Sequence, residues 1–152
     1  MKNSVLNAAM RLLKYRHRSC HEIKNRLIQK GYSEDDILNT VNHLTSLGYL
    51  NDEYFANIYV LDKLKQNGVG PIYLQIELRK HEIPQLVIDE AIASGYNKIS
   101  SKDIINNHIQ KRLKLLRHNS INDKKRKIVE FLKRKGFTWG QISLELKNYF
   151  TD

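Results

Sequence analysis

Three stretches of this 152-residue chain superpose on one another, and that self-similarity limits the fold more than any single motif. "SCHEIKNRLIQKGYSEDDILNTV" (19–41) aligns without a gap on "GPIYLQIELRKHEIPQLVIDEAI" (70–92), an offset of 51. A further 54 residues along lies "KKRKIVEFLKRKGFTWGQISLEL" (124–146). Apolar residues then agree column by column: Ile23, Leu74 and Ile128; Leu27, Leu78 and Leu132; Tyr32, Ile83 and Phe137; Ile37, Ile88 and Ile142; Val41, Ile92 and Leu146. Steps of four place each set on one helical face. A period of about 50 residues is the signature of a repeat array, in which each unit buries its apolar face against its neighbours.

The ends of the helices are written in the same stretches. Ser19–Glu22, Ser33–Asp36, Ser100–Asp103 and Ser120–Asp123 fit the capping box, with Thr138–Gln141 a weaker version. Pro71 and Pro84 suit first-turn positions, where a missing N–H costs nothing. Asn51 or Asp52 caps the helix through "EYFANIYVLDKLK", and Gly31 and Gly136 suit helix C-termini. No alternating strand pattern stands out. The expected fold is all-α: three tandem three-helix repeats, 1–50, 51–97 and 98–152, forming an elongated, curved body. The longest break, "ASGYNKIS" (93–100), is the hinge candidate between the second and third.

Charge divides along the same lines. The net charge is +10. Residues 1–50 carry eight Lys/Arg against four Asp/Glu (+4), residues 51–100 five against seven (−2), and residues 101–152 thirteen against five (+8). An excess of this kind favours a polyanion, an acidic protein or an anionic membrane as partner. No apolar run approaches the ~20 residues of a membrane span. The start, "MKNSVLNAAMRLLKYRHR", lacks a signal peptide's apolar stretch and reads as a first structural helix. With Cys20 the only cysteine, no intrachain disulfide forms, and a cytoplasmic setting is expected.

Catalytic patterns are missing. There is no phosphate-binding loop, and "NGVGP" (67–71) is a turn. Asp35–Asp36, Asp52–Glu53 and Asp89–Glu90 are adjacent pairs, which point apart on a helix and do not converge on a cation. "HRSCH" (17–21) offers His17, Cys20 and His21, but a helix starting at Ser19 separates them and supplies no fourth ligand. Neither an enzyme nor a cofactor is expected.

Basic residues are the candidate site. Arg16, Arg18, Arg26 and Lys30 give the first repeat a light positive face, together with Arg11. Lys111, Arg112, Lys124, Lys125, Arg126, Lys127, Lys133, Arg134 and Lys135 concentrate charge in the third. On the helix at 124–135, Lys124, Lys127, Arg134 and Lys135 share a face while Ile128, Phe131 and Leu132 turn inward. Six phosphate contacts of this kind to a single strand would give a log–log salt slope of roughly −4. A solvated helix face and an acidic protein surface are the competing readings. Trp139 either packs beside the apolar column or stacks on a base. The aromatic run Tyr54, Phe55, Ile58, Tyr59 and Leu61 is expected in the core between repeats, with a partner surface as the alternative.

Three of these stretches resemble the RecX family of bacterial recombination regulators. "RHRSCHEIKNRLIQKGYS" is similar to that family's R-x-x-S-x-x-E-L-x-x-K-L…G signature at Arg16, Ser19, Glu22, Ile23, Arg26, Leu27 and Gly31. "GYLNDEYFA" resembles its G-x-L-x-D-x-x-[FY]-A hallmark at Gly48, Leu50, Asp52, Phe55 and Ala56. "GPIYLQIELRKHEI" resembles a third motif at Gly70, Pro71, Leu74, Glu77, Leu78 and Ile83, but has His81–Glu82 where the family has Lys-Gly and Ile72–Tyr73 where a basic residue is common. The resemblance implies a regulator lying in the groove of the RecA–DNA filament, restraining strand exchange, ATP hydrolysis and coprotease activity. Its implied partners are the RecA filament and, weakly and electrostatically, single- or double-stranded DNA. A monomer is expected. The competing function is an autonomous helix-turn-helix-like DNA-binding protein acting without RecA.

Overall fold

The computed structural model describes residues 2–151; Met1 and Asp152, the outer limits expected for the first and third repeats, lie outside the described residues. Nine α-helices and no strand are found among them: α1 (Lys2–Tyr15), α2 (Cys20–Gln29), α3 (Glu34–Ser46), α4 (Asp52–Asn67), α5 (Pro71–Lys80), α6 (Gln85–Lys98), α7 (Ser101–Leu115), α8 (Ile121–Lys135) and α9 (Trp139–Leu146). Helices pack in threes, as the tandem-repeat reading requires. Within each triplet the apolar columns meet, and fourteen of the fifteen aligned positions are buried. The exception is Tyr32, whose phenol reaches the edge and lies 3.1 Å from Ser4 Oγ.

Caps form as expected on their serine side: Ser19, Ser33, Ser100 and Ser120 each accept the amide of the residue three along. Their acidic partners do not reach back. Asp is one methylene short of the return bond, and Glu22 is held by Arg16 and Arg18 instead. Only Thr138–Gln141, the pair with the poorer sequence match, closes the reciprocal box among the described residues. Asn51 caps α4 by accepting the Tyr54 amide, and Pro84 precedes α6 as its N-cap.

Two expectations are corrected. The hinge at 93–100 does not exist as a break, because α6 runs unbroken to Lys98. Gly95 sits buried inside it, and a Cβ there would collide with the Val60 side chain. The glycine lets α4 and α6 approach closely rather than ending a helix. The aromatic run is also only partly core: Phe55, Ala56, Val60 and Leu64 are buried, Ile58, Tyr59 and Leu61 are half-buried, and Tyr54 is exposed. The buried stripe of α4 is thus i, i+1, i+5, i+9, and Tyr54 and Tyr59 each stand one residue before it.

The core is in two pieces. Val5, Ala9, Ile23, Leu27, Val41, Leu44 and Leu50 enclose one within α1–α3. The other runs without interruption through α4–α9, from Phe55 to Leu146, with Phe137 its largest fully buried side chain. The first triplet therefore closes on itself, while the second and third share an interior.

Candidate nucleic-acid interface

Helix α4 touches both neighbouring triplets, and its outer face forms the floor of a trough. At its N-terminus Asp52 turns back, and its carboxylate accepts the Cys20 amide at 2.8 Å, the first amide of α2. That bond, with Tyr54 edge-on to His17 at 4.9 Å, fixes the start of α4 beside the first triplet. At its C-terminus Gly68 takes the left-handed conformation (φ 58). The Gly68 carbonyl accepts from His108 Nε2 at 2.8 Å, and the Asn67 carbonyl accepts from Lys135 Nζ at 3.0 Å.

Four hollows follow one another, three of them floored by α4 and the outermost by α1. The first, about 490 Å³, lies against α1 between Met10, Arg11, Lys14 and Tyr49. Leu13 and Tyr49 are shared with a second of about 220 Å³, and His17 and Phe55 link that to a third of about 300 Å³. Lys63 belongs both to the third and to a fourth of about 260 Å³, which Tyr73, Phe131, Arg134 and Lys135 complete. Each hollow shares wall residues with the next, so together they form a row that reaches all three triplets.

Its electrostatics are positive and its walls carry rings. Arg11, Lys14, Arg16, Lys63, Arg134 and Lys135 line it against a single carboxylate, Asp62. Lys63 Nζ lies 5.6 Å from the Tyr59 ring, Lys135 Nζ 5.6 Å from the Phe131 ring, and the Arg112 guanidinium stacks on the Phe131 ring at 3.7 Å. Burial, helped by Tyr73 and Glu77, pushes the Tyr59 phenol far above its ordinary value, so it stays a neutral donor. Burial also lowers the His108 imidazole, and Lys135, Lys111 and Arg112 oppose its charging while its bond to Gly68 favours it. At the α4–α8 end, cations interleaved with ring faces suit a phosphodiester strand, which needs counter-charge and tolerates stacking. Part of this charge has a local duty as well: Lys133, Arg134 and Lys135 sit in the last turn of α8, where the helix dipole favours them.

Matches to known proteins fall on the same triplets. Residues 6–44 match the RecX first three-helix domain and residues 51–92 the RecX second three-helix domain. A regulatory protein RecX of Pelodictyon phaeoclathratiforme is 30% identical over 91% of this chain and 84% of its own length. The chain belongs to the RecX family. The regulatory protein RecX of Bacillus subtilis is 35% identical over 90% of this chain, which spans about half (52%) of that longer relative. The crystal structure of RecX from Lactobacillus salivarius superposes with a TM-score of 0.85 at 25% identity, covering 97% of this chain and 95% of that one.

Within this RecX chain the basic residues singled out from the sequence scatter. Arg16, Arg134 and Lys135 line the trough. Arg18 also borders the second hollow but is 8% exposed, pairs with Glu22 and donates to the Leu12 carbonyl at 3.0 Å, so it is a structural cation. Arg26 and Lys30 are exposed on α2 outside the trough, as is Lys111 on α7. The expected face of Lys124, Lys127, Arg134 and Lys135 is split by the core edge, with Lys124 and Lys135 half-buried and Lys127 and Arg134 exposed. Lys125 is half-buried; Arg126 pairs with Asp123 at 2.7 Å and Glu130 at 3.4 Å. Lys127 reaches Asp123 at 3.9 Å. Trp139 is 56% exposed rather than packed, with Lys133 Nζ 5.6 Å from its ring, and lies outside the trough.

The sequence does not single out Lys63 or Tyr73 as site residues, and Tyr59 enters it as a core residue with a partner surface as the alternative. The −2 balance of the central third hid Lys63, although Tyr59, Lys63 and Gln66 stand at i, i+4 and i+7 on one face. The family-motif positions, by contrast, build scaffold: Ser19, Leu27, Leu50, Phe55, Ala56 and Leu78 are buried, and Gly31 and Gly48 hold left-handed turns. Glu22 and Glu77 make ion pairs with Arg16 and Lys80, and Gly70 lies in backbone contact with Gly136.

Proposed function

We propose that this RecX-family chain regulates the RecA recombinase without chemistry of its own, lying along the RecA–DNA filament and restraining its ATP hydrolysis and strand exchange. The trough across all three triplets is the observation that supports this reading. A regulator of a long polymer needs an extended, continuous contact, not a closed site, and one strand of phosphates gives the counter-charge for Arg16, Lys63, Arg134 and Lys135. The three units, 1–50, 51–97 and 98–152, act as successive contacts of one monomer in the cytoplasm. The middle triplet takes part as well, through Lys63 between the third and fourth hollows.

ATP hydrolysis by RecA on single-stranded DNA, measured while this protein is titrated at near-physiological salt, tests the proposal. Inhibition below one molecule per RecA is expected. Unchanged hydrolysis at equimolar protein overturns it. Inhibition only when enough protein is present to coat the DNA transfers the trough to an autonomous DNA-binding protein.

A further inference from the structure

The trough changes chemistry along its length. At the α8 end, cations and rings alternate. At the α1 end, the largest hollow is walled mainly by carbon, from Met10, Leu13 and Tyr49, with only Arg11 and Lys14 on its rim. Asn7, Met10, Arg11 and Lys14 follow spacings of three, one and three, which draw a single stripe along α1. Met10 is 36% and Tyr49 58% exposed, so apolar surface is left in water beside two charges. Helix α1, "KNSVLNAAMRLLKY", contains no carboxylate, and among the described residues neither Arg11 nor Lys14 has an acidic partner.

A nucleic-acid strand fits this end poorly. It offers a base one ring, Tyr49, and lays phosphate over Met10 and Leu13. An amphipathic helix fits both halves: its apolar side chains enter between Met10, Leu13 and Tyr49, and its carboxylates meet Arg11 and Lys14. Tyrosine and arginine are among the residues in which binding energy concentrates at protein interfaces. We propose that the α1 end of the trough docks an acidic amphipathic helix of a protein partner, leaving the α4–α8 end to nucleic acid. The regulatory reading above enters only through the choice of RecA as one of the probes.

The test uses the full chain and three probes: RecA without DNA, a helical peptide built from Leu, Ala and Glu heptads, and a fluorescein-labelled oligothymidylate. Two variants are compared with the parent, Arg11→Glu with Lys14→Glu, and Tyr49→Ala. All three altered residues are on the surface, and an unchanged melting temperature confirms folding. Both variants are expected to weaken the peptide at least about tenfold, with oligothymidylate affinity within about twofold. Lys63→Glu with Arg134→Glu is expected to give the reverse. Loss of RecA binding in step with the peptide supports the inference and the regulator together. If RecA ignores the parent protein but the peptide is held and lost as described, the docking end stands and only the regulator reading fails. A peptide that the parent does not bind, or that both variants bind unchanged, overturns the inference. Loss of oligothymidylate in place of peptide also overturns it and makes α1 part of the nucleic-acid surface.

Discussion

Between the first and second triplets, what crosses is mainly polar, with one edge-on ring contact from His17 to Tyr54. The Asp52 carboxylate takes the Cys20 amide at 2.8 Å, Ser19 Oγ lies 2.6 Å from His81 Nδ1, and His21 Nδ1 lies 3.2 Å from Glu82. Between the second and third, backbone meets backbone: the Gly70 amide donates to the Lys135 carbonyl at 2.8 Å and the Ile72 amide to the Gly136 carbonyl at 2.9 Å. Beneath that seam Phe137 is buried in a common core with Leu74 and Leu78. One junction is a few hydrogen bonds, each with a net worth of about 1 kcal/mol. The other is held by shared burial at roughly 25 cal/mol per Å² of apolar surface, which cannot be undone one bond at a time. Units with equivalent sequences are thus expected to differ in independence, α1–α3 opening as its own cooperative piece and α4–α9 as one.

The heaviest way to break this contrast is at the seam. Phe137→Ala is expected to cost about 3–5 kcal/mol, because a large ring leaves a cavity shared by two triplets. Gly70→Ala is expected to be comparably damaging, since its Cβ would run into the Gly136 backbone, which has no rotamer to yield. Hydrogen exchange reads the result. Amides of α4–α9 lose protection together while those of α1–α3 keep theirs; a parallel loss in α1–α3 means the two cores are energetically one.

Asp52→Ala attacks the other junction. It leaves the part-buried Cys20 amide without its carboxylate and is expected to cost about 1–2 kcal/mol, confined to α1–α3 and the start of α4. Asp52→Asn keeps an oxygen acceptor and is expected to recover most of the loss. An equal penalty for both would assign the effect to charge at the α4 N-terminus instead.

Acidification acts on both junctions and separates them by residue. Burial lowers the His81 imidazole below its ordinary 6.5; Glu22 and Asp52 pull it up, while His21 and Arg16 push it down. His108 is lowered chiefly by burial too. The unfolded chain therefore binds more protons than the folded one below about pH 6.5. Stability from these neutral rings is complete above that value and is lost as pH falls from it toward the lowered pKa values. His81→Gln is expected to flatten the pH dependence of Cys20 amide exchange, and His108→Gln that of the α4–α9 melt. If both variants flatten the same amides, the junctions are coupled.

How far the sequence could be read follows from the range of each interaction. Ile23, Leu74 and Ile128 declared themselves because a helix face is set by neighbours four residues away, and the serine caps because they act over three. Gly95 misled because a close approach and a chain break look identical in one sequence; only Val60, thirty-five residues earlier, distinguishes them. Tyr54 and Trp139 misled because an aromatic ring is equally at home in a core or at an edge. The trough was beyond reach for the same reason, since it joins Lys63 to Lys135 and Lys14 to Tyr49 across the fold. Total charge pointed to its partner class but not to its walls.

The smallest expected effect concerns the residue that departs from the family pattern at the polar junction. Glu82 stands where the resemblance calls for glycine, and it holds φ 54, the only non-glycine in the left-handed region among the described residues. A side chain there costs about 1–2 kcal/mol of backbone energy. Glu82→Gly removes that strain, but it frees the unfolded chain by about 0.5–1 kcal/mol and deletes the exposed contact with His21. A net stabilisation of roughly 0.5 kcal/mol is expected in denaturant melts, and Cys20 amide exchange is expected to change little. A clear loss of protection at Cys20 would show that the His21–Glu82 pair helps hold the first triplet in place. The polar junction would then depend on three interactions of similar weight rather than chiefly on Asp52.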